Sequence, residues 1–120
     1  MDIYSEMVLD HYKHPHNAGV LDDATHVLVE ENLSCGDKLK IYLRVVNGII
    51  ENVSFEGSGC AISMASASML TDKLLGMSLV DVGKLDEQYI YDLIKVPIHA
   101  GRVKCAMLPL MCIKSVMIDM

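Results

Sequence analysis

The sequence is short of basic residues, of paired cysteines and of long apolar runs, and each shortage excludes a class of protein. Ten Lys and Arg stand against sixteen Asp and Glu, a net charge of −6 at pH 7 with a pI near 5.2. No run of Lys or Arg offsets this locally, so a phosphate backbone is repelled and nucleic acid is excluded as a partner. Mean hydropathy is +0.32, yet the most apolar stretch, Cys105 to Ile118, is broken by Pro109 and Lys114 and is too short to cross a bilayer. Met1 to Met7 carries Asp2 and Glu6, with no basic leader or apolar signal core, which predicts no membrane association and a cytoplasmic location. Also missing are a Ser/His/Asp set, a phosphate-binding loop, a nucleotide fingerprint, internal repeats and low-complexity tracts.

The four cysteines, at positions 35, 60, 105 and 112, have none of the CxxC pairing of zinc ribbons. In a reducing compartment, disulfides give way to metal or thiol chemistry. The chain of 120 residues is 52% hydrophobic and 22% charged, which suits a single domain over residues 1–120. A domain of this size buries roughly two-thirds of its unfolded surface. It can therefore fold without disulfides or metal, and a metal site would serve function rather than hold the fold.

Apolar residues at helical spacing predict a helix over Ile3 to His14, ended by Pro15. Thr25 to Glu31 reads as a strand with Val27 and Val29 on one face. Leu39, Ile41, Leu43 and Val45 alternate with Lys38, Lys40, Tyr42 and Arg44, the period of a half-buried strand. Asn47-Gly48 then marks a hairpin, with Ile49 to Phe55 as the returning strand. Cys60 to Leu75 reads as a helix rich in small residues, with Gly76 as its stop signal. Short helices are predicted after Ser78 and over Glu87 to Ile94. A last helix from about Val103 to Met117 conflicts with Pro109, which predicts a kink or a late start. This order gives an α+β fold: a three-stranded antiparallel sheet with helices packed on one face.

Three cysteines fall at the starts of elements. Cys35 lies in Ser34-Cys35-Gly36-Asp37, and in extended chain Cys35 and Asp37 point the same way. Cys60 follows a glycine-rich turn at a helix start, and Cys105 sits near the start of the last helix beside Arg102 and Lys104. Both settings favour thiolate. Each cysteine alone is also compatible with a small buried apolar residue. Two or three thiolates with a carboxylate on one metal is the collective alternative, and it requires the three loops to meet. Cys112 lies seven residues past Cys105, about 10 Å along a helix, too far to share an ion, and reads as core. The histidines sit mostly in polar surroundings: His14 and His16 flank Pro15 and can chelate, but such residues usually face solvent. Nine scattered methionines read as core filler.

Nearly the whole chain resembles the Fe–S cluster scaffold family of the IscU/NifU amino-terminal type, with most similarity to its SufU-type members. The resemblance rests on Leu9-Asp10-His11-Tyr12-Lys13-His14-Pro15-His16-Asn17, on Ser34-Cys35-Gly36-Asp37, on Phe55-Glu56-Gly57-Ser58-Gly59-Cys60-Ala61 with the small-residue helix behind it, and on Val103-Lys104-Cys105-Ala106. It implies a SufE/NifU-like fold and a scaffold, rather than an enzyme, for iron–sulfur cluster assembly. Such a scaffold accepts sulfur from a cysteine desulfurase and hands cluster to apo acceptor proteins, with a homodimer as one arrangement. Carried over by position, Cys35, Asp37, Cys60 and Cys105 bind iron or a cluster of the 2Fe–2S type, with Cys35 as persulfide acceptor. The alternative implied by the same resemblance is a zinc-bound sulfurtransferase of the SufU type, working through a Cys35 persulfide. Lys104 stands where IscU-type members have His, as in SufU-type members. Ile98-His99-Ala100-Gly101-Arg102 replaces the LPPVK stretch that a dedicated chaperone reads. Cys105 lies 45 positions beyond Cys60, the shorter IscU-like interval without the SufU-type insertion.

Overall fold

A computed structural model of the chain describes residues 3–33 and 36–117. The elements run α1 (Ile3–Lys13), β1 (His26–Asn32), β2 (Asp37–Val46), β3 (Ile49–Ser58), α2 (Ala61–Leu74), α3 (Leu79–Val82), α4 (Glu87–Ile94) and α5 (Val103–Lys114). The strands form one antiparallel sheet in the order β1-β2-β3. The expected α+β class and three-stranded sheet are what the chain adopts. None of the helices among the described residues is long and apolar enough to cross a membrane.

Alternation along β2 sends Asp37, Leu39, Ile41 and Leu43 inward and leaves Lys38 exposed on the open face. Across the sheet, Ile41 pairs with Leu28 and Phe55, which share the inner face. Val27 and Val29 do lie on one face of β1, but it is the exposed one, and Leu28 is the buried residue between them. Asn47 and Gly48 adopt φ of 52° and 77°, the left-handed pair that a tight hairpin between β2 and β3 requires. The register then shifts between Arg44 and Val45, whose partners are Asn52 and Ile50. This bulge reverses the phase of β3, so that Ile50 and Val53, three apart, are both buried.

Helices α2 and α5 pack on the inner face, and α1 and α4 pack in turn against α2. The small residues of α2 permit this crowding, and its buried hydroxyls all have partners. Ser66 Oγ donates to the Ala106 carbonyl of α5 at 2.8 Å, and Thr71 Oγ1 donates to Ala67 O at 2.8 Å. Of the two expected outcomes the late start does not occur: α5 runs on from Val103 through the buried Pro109 to Lys114. Proline there removes the amide that would bond the Cys105 carbonyl, at a cost of ~3 kcal/mol. Burial of Leu108, Pro109 and Leu110 against the core offsets that cost. Past Pro15 the chain turns back: Phe55 N–H donates to Asn17 O at 2.9 Å, and Gly19 N–H donates to Phe55 O at 2.8 Å. The otherwise open edge of β3 is thereby covered.

Candidate metal centre

Three element starts meet at one end of the α2–α5 layer. Asp37 is the first residue of β2 and continues the inward row of Leu39, Ile41 and Leu43, so its carboxylate is carried under the helices and is only 3% exposed. Cys60 is the N-cap of α2, in extended conformation with φ −74° and ψ 167°. Cys105 is the third residue of α5 and is fully buried. One ligand atom from each of Asp37, Cys60 and Cys105 lies within 4.8 Å of the others. The Ser66–Ala106 hydrogen bond between α2 and α5 fixes the spacing of the two thiols.

The carboxylate is divided between two tasks. Oδ1 accepts the Cys60 amide hydrogen at 3.1 Å, filling a vacancy at a helix start whose first turn has no acidic residue. Oδ2 is buried and has no hydrogen-bond partner among the described residues. An orphaned buried carboxylate oxygen beside two thiols is costly unless something positive joins them. Around a tetrahedral ion, bonds of ~2.3 Å to sulfur and ~2.0–2.2 Å to oxygen place donors roughly 3.3–3.8 Å apart. The observed donor set closes on such an ion with side-chain movement of about 1 Å or less. The residues present therefore fit a thiophilic metal.

The Cys60 thiol is poised for this. Burial pushes its pKa up, but the Ser63 amide and hydroxyl, Cys105 and the Ile62 amide act against burial and bring it below the ordinary cysteine value. Ser63 Oγ lies 3.8 Å from Cys60 Sγ and also donates to the Cys60 carbonyl at 3.0 Å. Gly59 completes the enclosure. A Cβ there would stand 2.7 Å from Asp37 Oδ1 and 2.6 Å from Ser63 Oγ, so no larger residue fits without displacing the centre.

Cys112 takes no part. It is fully buried seven residues further along α5, where its thiol donates to the Leu28 carbonyl at 3.5 Å. Burial, aided by Glu30 and opposed by the Ile41 amide, pushes its pKa up to about 12. Cys35, expected as a ligand and as the sulfur acceptor, lies outside the described residues. Ser63 and Gly59 are not among the site residues expected from the sequence, although Gly59 sits in the turn before Cys60 and Ser63 in the first turn of α2.

Fold and site together define a class: a small α+β domain that gathers two thiols and a carboxylate from three element starts into one cluster of potential metal ligands. Residues 3–119 match the NifU-like N terminal domain, and the chain belongs to that family. Among its relatives, the iron–sulfur cluster assembly scaffold protein IscU of Haemophilus influenzae is 33% identical over 120 residues, covering 97% of this chain and 94% of its own. IscU of Thermotoga maritima is 40% identical over 86 residues, 72% of this chain and 61% of that protein. The zinc-dependent sulfurtransferase SufU of Bacillus subtilis is 43% identical over 77 residues, 64% of this chain. That alignment spans 52% of the Bacillus protein, so the chain matches about half to three-fifths of these last two relatives. A solved structure described as an iron–sulfur cluster assembly scaffold protein for the SUF system, from Fervidobacterium islandicum AW-1, superposes with a TM-score of 0.74 at 31% identity. It covers 93% of this chain and 94% of its own. The NifU-like protein of Brucella abortus has the same fold, with a TM-score of 0.79 at 18% identity over 98% of this chain and 93% of that one.

Proposed function

We propose that the chain is an assembly scaffold for iron–sulfur clusters, with Asp37, Cys60 and Cys105 holding the cargo and Cys35 joining them as ligand and sulfur acceptor. The observation that carries this reading is the convergence of two thiols on the Asp37 carboxylate, whose Oδ2 is buried without a hydrogen-bond partner among the described residues. Thiolates suit iron–sulfur clusters, whereas a carboxylate is a harder and weaker partner for them. One oxygen ligand among sulfurs makes the cargo releasable, which a donor to apo proteins requires. A cysteine desulfurase is the partner that supplies sulfur, and apo iron–sulfur proteins are the recipients. The test is Asp37→Ala after anaerobic reconstitution with iron and sulfide. The visible absorbance of the variant persists longer in air than that of the parent, and equal or faster bleaching refutes the role given to Asp37.

A second reading, zinc in the same centre with sulfur passed through Cys35, is favoured by the likeness to the Bacillus sulfurtransferase and by Lys104 directly before Cys105. Zinc binds the same donor set and lowers thiol pKa. The 45-position interval from Cys60 to Cys105 opposes it, being the shorter one. Stoichiometric zinc that blocks reconstitution, together with stimulated desulfurase turnover, would select this second reading.

A further inference from the structure

A second group of metal-ligating side chains stands at the opposite end of α2. His11 on α1, His16 in the turn after Pro15 and Asp72 in the last turn of α2 each offer one ligand atom within 4.8 Å of the others. Twelve residues of helix separate Cys60 from Asp72, about 18 Å at 1.5 Å per residue, so this group cannot share an ion with the thiol centre.

The geometry points to a second, thiolate-free site for a divalent transition-metal ion, built from His11, His16 and Asp72. Two imidazoles and one carboxylate form a borderline donor set that suits zinc, cobalt, nickel or copper rather than magnesium or calcium. The ligands are held in place by hydrogen bonds, one of which, between His16 and Asp72, an ion would replace. His11 Nδ1 lies 2.7 Å from Ser68 Oγ, a hydrogen bond that fixes the orientation of the ring. Asp72 Oδ1 accepts from Asn17 Nδ2 at 2.9 Å, so Oδ2 is the coordinating oxygen. His16 reaches that Oδ2 through Nδ1 at 2.6 Å. An ion entering there would replace that hydrogen bond with a bond to each of the two atoms.

The turn that carries His16 is pinned to α2 at three points. The His16 amide donates to Ser68 Oγ at 2.8 Å, and Asn17, at φ 62°, donates through Nδ2 to Thr71 Oγ1 at 3.0 Å as well as to Asp72. The rings of His11 and His16 stand 4.4 Å apart. Such a preset arrangement lowers the ordering cost of binding. The side chains of His16 and Asp72 remain 49% and 39% exposed, so water completes the coordination and the ion exchanges readily. This site is independent of the scaffold reading, since it shares no residue with the thiol centre.

The test is a cobalt titration of the whole chain, purified anaerobically and stripped with chelator. One equivalent should bring sulfur-to-cobalt charge-transfer absorption, and a second should bring only weak ligand-field bands. In His16→Ala and in Asp72→Asn the thiolate-free equivalent is lost and the charge-transfer equivalent stays. In the Cys60→Ser/Cys105→Ser double variant the pattern reverses. A single, thiolate-bound equivalent in the parent chain overturns the proposal, as does a thiolate-free equivalent that His16→Ala leaves intact. A measurement free of any variant is nitrogen NMR of the intact chain with zinc. The ring nitrogens of His11 and His16 should shift while those of His14, His26 and His99 do not, and uniform or absent shifts contradict the site.

Discussion

Gly59→Ala isolates the geometry of the thiol centre from the chemistry of its ligands. The added methyl would lie 2.7 Å from Asp37 Oδ1, 3.0 Å from Asp37 Cγ and 2.6 Å from Ser63 Oγ. Neither neighbour can retreat into solvent, because Asp37 is 3% exposed and Ser63 is fully buried. The carboxylate must therefore swing away from the Cys60 amide and give up a charge-assisted hydrogen bond, worth about 1.5–3 kcal/mol. Overpacking costs of ~1–3 kcal/mol bracket the same value from the steric side. For a domain of this size the unfolding midpoint falls by about 4 °C per kcal/mol. Asp37 Oδ2 moves with Oδ1, so zinc or iron affinity falls about 10- to 100-fold, the cost of losing a ligand's support. Gly76→Ala is the control. Its φ of 83° makes alanine strained there by ~1–2 kcal/mol, but an added Cβ meets nothing within 4 Å. Thermal melts and competitive zinc titration of both variants separate the effects. Equal metal affinity in Gly59→Ala and the parent, with stability lowered as in Gly76→Ala, refutes the coupling between Gly59 and Asp37.

Thiol labelling distinguishes the cysteines. With its pKa pushed up to about 12, Cys112 has about one thiol in ten thousand ionised near pH 8. Mass mapping should find it unmodified in the native chain while Cys60 reacts ahead of the buried Cys105 and Cys112, and prompt labelling of Cys112 contradicts its place in the core. Ser66→Ala removes the buried link from α2 to the Ala106 carbonyl and should cost about 1 kcal/mol, read as a lower urea midpoint with an unchanged slope. Chelator should strip the thiol centre without unfolding the chain, because the apolar core does not depend on it. Loss of far-ultraviolet circular dichroism on chelation would instead mark a structural zinc domain.

The strands and helices were legible where one period dominated. The alternation of Leu39, Ile41 and Leu43 located β2 and its buried face, and Asn47-Gly48 located the hairpin, because both signals are local. The bulge opposite Arg44 was not legible, since it depends on how β3 pairs and not on its own pattern. For a related reason Pro109 did not delay the start of α5: helix propensity is a weak prior, and burial between Leu108 and Leu110 overrides it. At the thiol centre, the residue types and the element starts could be read, whereas the inward aim of Asp37 shows only in the fold. That Cys60 and Cys105 converge on Asp37 could not be read from spacing, because tertiary contacts bring the three element starts together. The pairing of His11 and His16 with Asp72, more than fifty positions away, was invisible for the same reason.

The central claim is that Asp37, Cys60 and Cys105 form a centre for iron–sulfur cargo. Its most direct test is the quantity of iron and acid-labile sulfide per chain after anaerobic reconstitution with a cysteine desulfurase, in the parent and in Cys60→Ser and Cys105→Ser. The account predicts iron and sulfide in matching amounts in the parent, and neither retained in the two variants. A parent chain that takes up no sulfide, or variants that hold as much cluster as the parent, would contradict it.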